Sequence, residues 1–285
     1  MNPRGWAQFL VIDELLGWHL APNISAYYAY DEHTGEDLIV TDDNGFSADV
    51  NQQPRLSPEK SADVYRVIVL GGSTVMGEGA GLPSQNIVGM LRKGVRERGL
   101  TGPGGRRVEL INAGVDAYNS AQEYLYFVSS LRRFKPDLVI AYDGWNDIDT
   151  SNFSVPPFRT GTHREIARRA RRSYLIAGAV FFVAENLRYA LTEGDLKLGT
   201  LELPWRMLGK FSATDGVNVS SPLSFDPRSI EYYRDNHRAF LALADEQLSV
   251  ALFLQPLAGT ARELSEEEKA SWWYPRLRDD GLKAR

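Results

Sequence analysis

Short apolar runs alternate with longer amphipathic stretches between residues 64 and 257. Four runs rich in β-branched residues end in polar residues or glycine, at 64–70, 108–111, 138–142 and 250–254. Three other stretches have the length and spacing of helices, at 85–98, 121–134 and 230–248. Apolar runs of this kind are typical of strands buried in a parallel sheet. The alternation therefore predicts an α/β protein in which helices connect parallel strands.

This order of elements favours a flavodoxin-like three-layer α/β/α sandwich with a mostly parallel sheet. Two regions depart from the alternation. Residues 1–60 contain several prolines and a turn-like sequence at 41–45, which predicts an N-terminal extension of short strands packed on a main domain of residues 61–285. Residues from about 150 to about 225 are long for a single crossover, which predicts a helical insertion near the strand ends.

Charge and composition narrow the function classes. The formal net charge is −5, so the chain has no broad basic field for nucleic acid, and the absence of cysteine excludes disulfides and thiolate metal sites. We predict no signal peptide or transmembrane helix, which favours the cytoplasm without determining the compartment. The basic and apolar segment 164–184 is interpreted as an interior or lid helix, the alternative being a segment that rests on a membrane or an acyl chain.

Residues suited to chemistry follow three of the predicted strands. Ser73 comes after two glycines, which allow a sharp turn and a close approach of substrate; a phosphate-binding turn or a helix N-cap is the alternative. Gly114 follows the second strand and could direct its backbone N–H toward the same strand ends as Ser73. The alternative is an ordinary turn residue. Asn146 follows the third strand, where its carboxamide could stabilise an oxyanion or form an Asx-turn.

The three segments together resemble the first three sequence blocks of the SGNH (GDSL-type) hydrolases. They are GGSTVMG at 71–77, NAG at 112–114 and GWND at 144–147, within a resemblance that covers residues 64–257. The resemblance implies that Ser73 is the nucleophile. It implies an oxyanion hole formed by the backbone N–H groups of Ser73 and Gly114 and by the side chain of Asn146, and no cofactor. Gly-Gly-Ser replaces the commoner Gly-Asp-Ser but leaves the serine and the turn intact.

The base that should activate Ser73 is missing from the sequence. The family supplies it with a late Asp-x-x-His block, and none of the four histidines, His19, His33, His163 and His237, has an aspartate three residues before it. His237 is predicted to be a solvated histidine of the helix before the fourth strand. His163 could reach the strand ends that carry Ser73 only if the insertion folds over them. We therefore expect a C-terminally shortened member whose Asp and His would follow Arg285.

Two functions remain open on these grounds. The first is hydrolysis of a small ester, including an O-acetyl ester of a carbohydrate, through an acyl-Ser73 intermediate. The second is a non-catalytic module of the same fold that binds acyl or glycan ligands without the base. A phosphate- or nucleotide-binding protein would use the same glycine turn but would give Asn146 no role. Asp143, Asp147 and Asp149 have no histidine beside them, which favours strand-end and capping roles over a metal site.

Overall fold

The computed structural model describes residues 9–13, 15–28, 37–48, 56–150 and 228–256. Several features considered above lie outside the described residues. They are the insertion from residue 151 to residue 225, the segment 164–184, His33, His163 and the C-terminal stretch after residue 256.

A five-stranded, mostly parallel sheet forms the centre of the described chain, in the order β6-β7-β5-β8-β9. Its strands are β5 (Val64–Gly71), β6 (Thr101–Gly102), β7 (Arg106–Asn112), β8 (Leu138–Asp143) and β9 (Ser249–Leu254). Strands β7, β5, β8 and β9 run parallel, whereas β6 pairs antiparallel with β7. The predicted α/β class and the four predicted strands are confirmed, with ends that differ by at most two residues.

Five α-helices surround the sheet in the described residues. They are α1 (Ser73–Met76), α2 (Ile87–Glu97), α3 (Ser120–Tyr126), α4 (Trp145–Thr150) and α5 (Arg228–Leu241). The sequence predicted one helix over 121–134, but α3 ends at Tyr126 and is followed by a π-helical turn, Phe127–Leu131, and a 3₁₀ turn, Arg132–Phe134. Apolar spacing continues through all three segments, so the pattern alone did not reveal the change in winding.

The predicted helix over 230–248 is also shorter than expected. It begins at Arg228 and ends at Leu241. The Asp245 carboxylate then accepts the N–H groups of Gln247 and Leu248, at 2.7 and 2.9 Å, in a tight turn. Aspartate stabilises turns in this way because its short side chain competes for nearby backbone donors.

Strand β5 lies at the centre because alternate residues pack on both of its faces. On one face Val67 and Val69 pack with Val75 of α1 and Val88 of α2. On the other, Ile68 and Leu70 belong to the larger core, which includes two fully buried phenylalanines, Phe127 and Phe240. A strand that is apolar on both faces is typical of a parallel sheet covered by helices. The end of β5, and thus Ser73, is held by this packing.

The N-terminal residues form two antiparallel hairpins. The first pairs β1 (Leu10–Asp13) with β2 (Gly17–Leu20), and the second pairs β3 (Ser25–Tyr28) with β4 (Asp37–Val40). The chain directly after β4 contacts the α/β part, since the N–H of Ser47 donates to the carbonyl of Asn112 at 3.1 Å and Phe46 packs edge-on against Phe134. Within the described ranges, no helix is long and apolar enough to cross a membrane.

Replacing Phe240 by alanine should lower the free energy of unfolding by about 3–5 kcal/mol, because the ring is fully buried against Tyr124 and Phe127 and its removal leaves a cavity. The matched change at the next residue, Leu241→Ala, should cost far less because Leu241 is 50% exposed. Urea denaturation of both variants measures the difference. Equal losses would show that α5 does not pack on the sheet as described.

Candidate functional site

Three parallel strands end at the same edge of the sheet. Strands β5, β7 and β8 stop at Gly71, Asn112 and Asp143, and the chain leaves each of them in a turn. Because carboxyl ends of parallel strands share one edge, the polar residues that follow them converge. Here they include the sequence-predicted residues Ser73 and Asn146.

Ser73 is presented by a turn that two glycines make possible. It is the first residue of α1, directly after Gly72, and its side chain is partly exposed. A Cβ on Gly71 would lie 2.6 Å from the Tyr142 carbonyl oxygen and 2.3 Å from Val75 Cγ2. Only glycine therefore allows β8 and α1 to approach the end of β5 this closely.

Asn146 lies beside the turn that carries Ser73. A Cβ on Gly72 would fall 2.3 Å from Asn146 Nδ2, so the carboxamide occupies the space that a larger residue would need. One N–H of Asn146 Nδ2 donates to the Tyr118 carbonyl oxygen at 2.7 Å, which fixes the orientation of the side chain. The structure thus brings Ser73 and Asn146 together around Gly72.

Gly114 is close to α1 but its N–H has another acceptor. A Cβ at this position would lie 2.4 Å from Met76 N, so the glycine allows the end of β7 to pack against α1. Its N–H donates to Asn112 Oδ1 at 3.0 Å, and Asn112 Nδ2 donates to the Val75 carbonyl at 2.7 Å. In this conformation the fully buried Asn112 accepts the Gly114 N–H, and the place of this N–H in an oxyanion hole stays a prediction.

The strand β9 also contributes to this edge. Gln255, the first residue after β9, donates from Nε2 to Thr74 Oγ1 at 2.9 Å. Its backbone N–H donates to the Asp143 carbonyl oxygen at 2.7 Å. Thr74, the residue next to Ser73, is therefore tied to the end of β9, across the intervening strand β8.

Three carboxyl groups, of Asp37, Glu78 and Asp116, lie near the loop that follows α1. Burial raises the pKa of Glu78, an interaction with the Ser73 hydroxyl opposes this rise, and the charge of Asp37 adds to it. Burial, together with the charge of Glu78, raises the pKa of Asp116 to about 7. The sequence did not identify these residues, although Glu78 lies only five positions after the serine.

His237 is not the solvated residue that the sequence predicted. Its side chain is only 12% exposed, and Nε2 lies 3.0 Å from Asp143 Oδ2. Tyr233, one helical turn earlier, donates its hydroxyl to Asp143 Oδ1 at 2.9 Å and packs edge-on against the imidazole ring. The prediction was wrong because α5 turns this face toward the end of β8, which spacing along the helix does not reveal.

A cluster of buried carboxyls lies next to this pair. Glu123 is fully buried, and burial followed by the charges of Asp143 and Asp147 raises its pKa well above the ordinary value. No hydrogen-bond donor reaches its oxygens among the described residues. The neutral acid satisfies this arrangement, since its own hydroxyl can donate to Asp143. A glutamate one turn before the buried Phe127 was the sequence signal for this cluster.

Asp147 links the end of β8 to α3. Its carboxyl accepts the backbone N–H of Ser120 at 3.1 Å and also the Ser120 hydroxyl. Asn236 of α5 donates to the same hydroxyl oxygen at 2.9 Å. Burial, then the charge of Asp143, raises the pKa of Asp147 to about 7. These contacts hold helix α4, which carries Asn146, against α3 and α5. Among the described residues, no three His, Cys, Asp or Glu side chains form a metal-binding set.

The raised pKa of Asp147 makes stability depend on pH. Between pH 3.8, the ordinary pKa, and about pH 7, the Asp147 carboxyl keeps its proton in the folded state but has lost it in the unfolded chain. The contribution to stability is therefore complete below pH 3.8 and is lost as the pH rises through 7. Asp147→Asn should reduce the slope of this loss by up to about 1.4 kcal/mol per pH unit. Urea denaturation from pH 5 to pH 8 measures it, with the exposed Asp235→Asn as the control. An unchanged slope in Asp147→Asn would contradict the assignment.

Gly72→Ala should disturb the site without straining its own backbone. Gly72 has φ −80° and ψ −152°, which alanine can adopt, so the obstacle is the Asn146 carboxamide. We expect a loss of about 1–3 kcal/mol in the free energy of unfolding from this overpacking. The control is Gly94→Ala in α2, where an added Cβ meets nothing within 4 Å and should gain about 0.5–1 kcal/mol. If Gly72→Ala were as stable as Gly94→Ala, Asn146 would not occupy this space.

Comparisons with known proteins add no relative. No protein-family model matches the chain, and no curated protein matches its sequence. A function must therefore be inferred from the residues at the strand ends: a partly exposed serine, a carboxamide beside its turn and a set of buried carboxyls.

Proposed function

We propose that the chain is a serine hydrolase of the SGNH type that cleaves a small ester through an acyl-Ser73 intermediate. The fold proposed with it is the flavodoxin-like three-layer α/β/α sandwich. The substrate class is a short acyl ester, including the O-acetyl ester of a carbohydrate. No cofactor enters this chemistry.

One observation carries the function. Ser73 leaves the central strand on a glycine turn, and the Asn146 carboxamide lies directly against the residue before it. Acyl transfer needs a nucleophile and a hydrogen-bond donor within reach of the same carbonyl group, because negative charge develops on the carbonyl oxygen as the nucleophile attacks. Ser73 and Asn146 supply groups of these two kinds, and the fold brings them together from the ends of different strands.

The reaction would proceed in two stages. Ser73 Oγ attacks the ester carbonyl carbon, and the developing oxyanion is stabilised by the backbone N–H of Ser73 and by Asn146 Nδ2. The tetrahedral intermediate collapses, the alcohol leaves, and water then releases the acyl group from Ser73. Gly114 supports α1 in this scheme, and its N–H would join the oxyanion hole only by leaving Asn112 Oδ1.

A specific observation favours the second candidate, a binding module without catalysis. Gly114 N–H and one N–H of Asn146 Nδ2 both donate to acceptors within the protein, Asn112 Oδ1 and the Tyr118 carbonyl. Hydrogen-bond donors engaged in this way must leave their present acceptors before they can stabilise the oxyanion of a transition state. Such a protein would bind acyl or glycan ligands at the strand ends without turning them over.

Hydrolysis of p-nitrophenyl acetate by the 285-residue chain tests the proposal. Ser73→Ala should reduce turnover to the background rate, and Asn146→Ala should lower kcat by about 10²–10³ because one oxyanion donor is lost. Ser129→Ala, at an exposed serine, is the control and should match the wild type. A Ser73→Ala variant that kept the wild-type rate would exclude Ser73 as the nucleophile.

Active-site labelling separates the two candidates. A hydrolase should react with diisopropyl fluorophosphate, with the added mass on the peptide that contains Ser73 and none in Ser73→Ala. A binding module should give neither turnover nor labelling, while still showing saturable binding of an acyl or glycan ligand by calorimetry. Labelling at another serine would contradict both.

A further inference from the structure

We propose that Asp37 of the second N-terminal hairpin is a positioning residue for Ser73 and acts through the loop that ends α1. This inference rests on the proposed function, because it concerns the orientation of the same nucleophile. Asp37 lies in the N-terminal extension, outside the three sequence blocks that carry the resemblance.

Helix α1 is too short to fix its own orientation. It comprises only the four residues Ser73–Met76, and Gly72 before it has no side chain that could cap its first turn. Isolated helices shorter than about 12–15 residues are marginal in water, because forming the first turn orders several residues for a single hydrogen bond. The direction in which Ser73 points therefore depends on the contacts that hold the two ends of α1.

The loop after α1 is bonded directly to the backbone of Ser73. The Ser73 carbonyl oxygen accepts the N–H groups of Gly77 at 2.8 Å and of Glu78 at 3.0 Å. Gly77 has φ +120°, a conformation that side chains rarely adopt, and this reverses the chain at the end of the helix. A displacement of the loop 77–81 would therefore be transmitted to Ser73 through these two bonds.

Asp37 holds this loop with both of its carboxylate oxygens. Oδ2 accepts the N–H of Gly79 and Oδ1 accepts the N–H of Gly81, each at 2.7 Å. The N–H of the next residue, Leu38, donates to the Gly81 carbonyl oxygen at 2.8 Å. Asp37 is only 8% exposed, and hydrogen bonds to an ionised acceptor are short and strong, the more so away from water.

Two glycines make the loop dependent on this anchor. Gly79 and Gly81 have φ +77° and +74°, and a Cβ on Gly79 would meet nothing within 4 Å, so the loop is not tightly packed at that point. Glycine moves between conformations more freely than other residues. The bonds to Asp37 therefore supply an orientation that the composition of the loop does not.

The hairpin that carries Asp37 is itself fixed to the sheet. Strand β4 is paired with β3 along its length, and the chain after it leads to Ser47. The N–H of Ser47 donates to the Asn112 carbonyl oxygen at 3.1 Å, and Asn112 Nδ2 donates to the Val75 carbonyl oxygen at 2.7 Å. The hairpin thus reaches α1 by two routes, through the loop 77–81 and through the end of β7.

Other contacts keep α1 on the sheet when Asp37 is removed. Thr74 Oγ1 accepts a hydrogen bond from Gln255 Nε2 at 2.9 Å, and Val75 and Met76 are buried. Loss of the Asp37 carboxylate should therefore loosen the orientation of Ser73 and leave the sheet folded. A misplacement of about 1 Å can reduce a reaction rate by about 100-fold, so catalysis should respond even where the fold is retained.

The experiment measures p-nitrophenyl acetate turnover by wild type, Asp37→Asn, Asp37→Ala and Ser73→Ala in the 285-residue chain. We expect Asp37→Ala to lower kcat by about 10–100-fold and to leave KM within about threefold, because the position of the nucleophile affects the transition state more than substrate binding. Asp37→Asn is nearly isosteric and keeps one oxygen acceptor, so it should lose less. Asp235→Asn and Asp235→Ala, at a side chain of α5 that is 64% exposed, are the matched controls and should equal the wild type.

Fluorophosphate labelling adds a readout that a change in stability alone would not move. The rate at which diisopropyl fluorophosphate modifies Ser73 depends on attack by its hydroxyl, and release of an acyl group does not enter it. This rate should fall in the order wild type, Asp37→Asn, Asp37→Ala, at a temperature where circular dichroism shows that all three proteins are folded.

The outcomes separate this inference from the proposed function. If wild type turns over, Ser73→Ala does not, and both folded Asp37 variants keep kcat within about threefold, the role of Asp37 is wrong while the serine hydrolase stands. A higher KM with kcat and the labelling rate unchanged would also overturn it, because Asp37 would then affect substrate binding alone. If Asp37→Ala does not fold, Asp37→Asn decides between these results. If wild type shows neither turnover nor labelling, both proposals fall together.

Discussion

The close approach of three chain segments around Gly71 and Gly72 is the constraint on which the site depends. Strand β5 is hydrogen-bonded on both sides and apolar on both faces, so its end has a fixed position in the molecule. The absence of Cβ atoms at its end lets the Tyr142 carbonyl, Val75 and the Asn146 carboxamide reach the same small volume. Everything proposed for Ser73 follows from that contact, because the turn decides where its hydroxyl lies.

Buried carboxyls lie on both sides of this contact. The cost of burying them is compensated in different ways. Asp37 and Asp147 are satisfied by hydrogen bonds from backbone N–H groups, which compensate for the loss of water. Glu123 has no donor among the described residues, and its raised pKa allows it to remain neutral and donate to Asp143. The carboxyls on the α5 side fix helix α4, which carries Asn146, and those on the hairpin side lie around the loop that follows Ser73 and α1.

The N-terminal hairpins are part of the site in this description. Asp37 and Trp18 come from different hairpins, and they hold the two loops that carry Glu78 and Asp116. The glycines at 79 and 81 have positive φ, so the loop can turn its N–H groups toward one carboxylate. A loop of this composition would otherwise be mobile, and an anchor outside the α/β part gives it a defined conformation.

The amino-acid sequence by itself determined the strands, the order in which they carry polar residues at their ends, and the positions of Ser73 and Asn146. These follow from local patterns: apolar β-branched runs and glycine turns depend on neighbours in the chain. Tertiary structure decided the rest. It paired the Gly114 N–H with Asn112 Oδ1, brought His237 to Asp143, and placed Asp116 near Glu78. Each of these depends on which elements pack together, since hydrogen bonds and pKa values are set by groups near in space and distant in sequence.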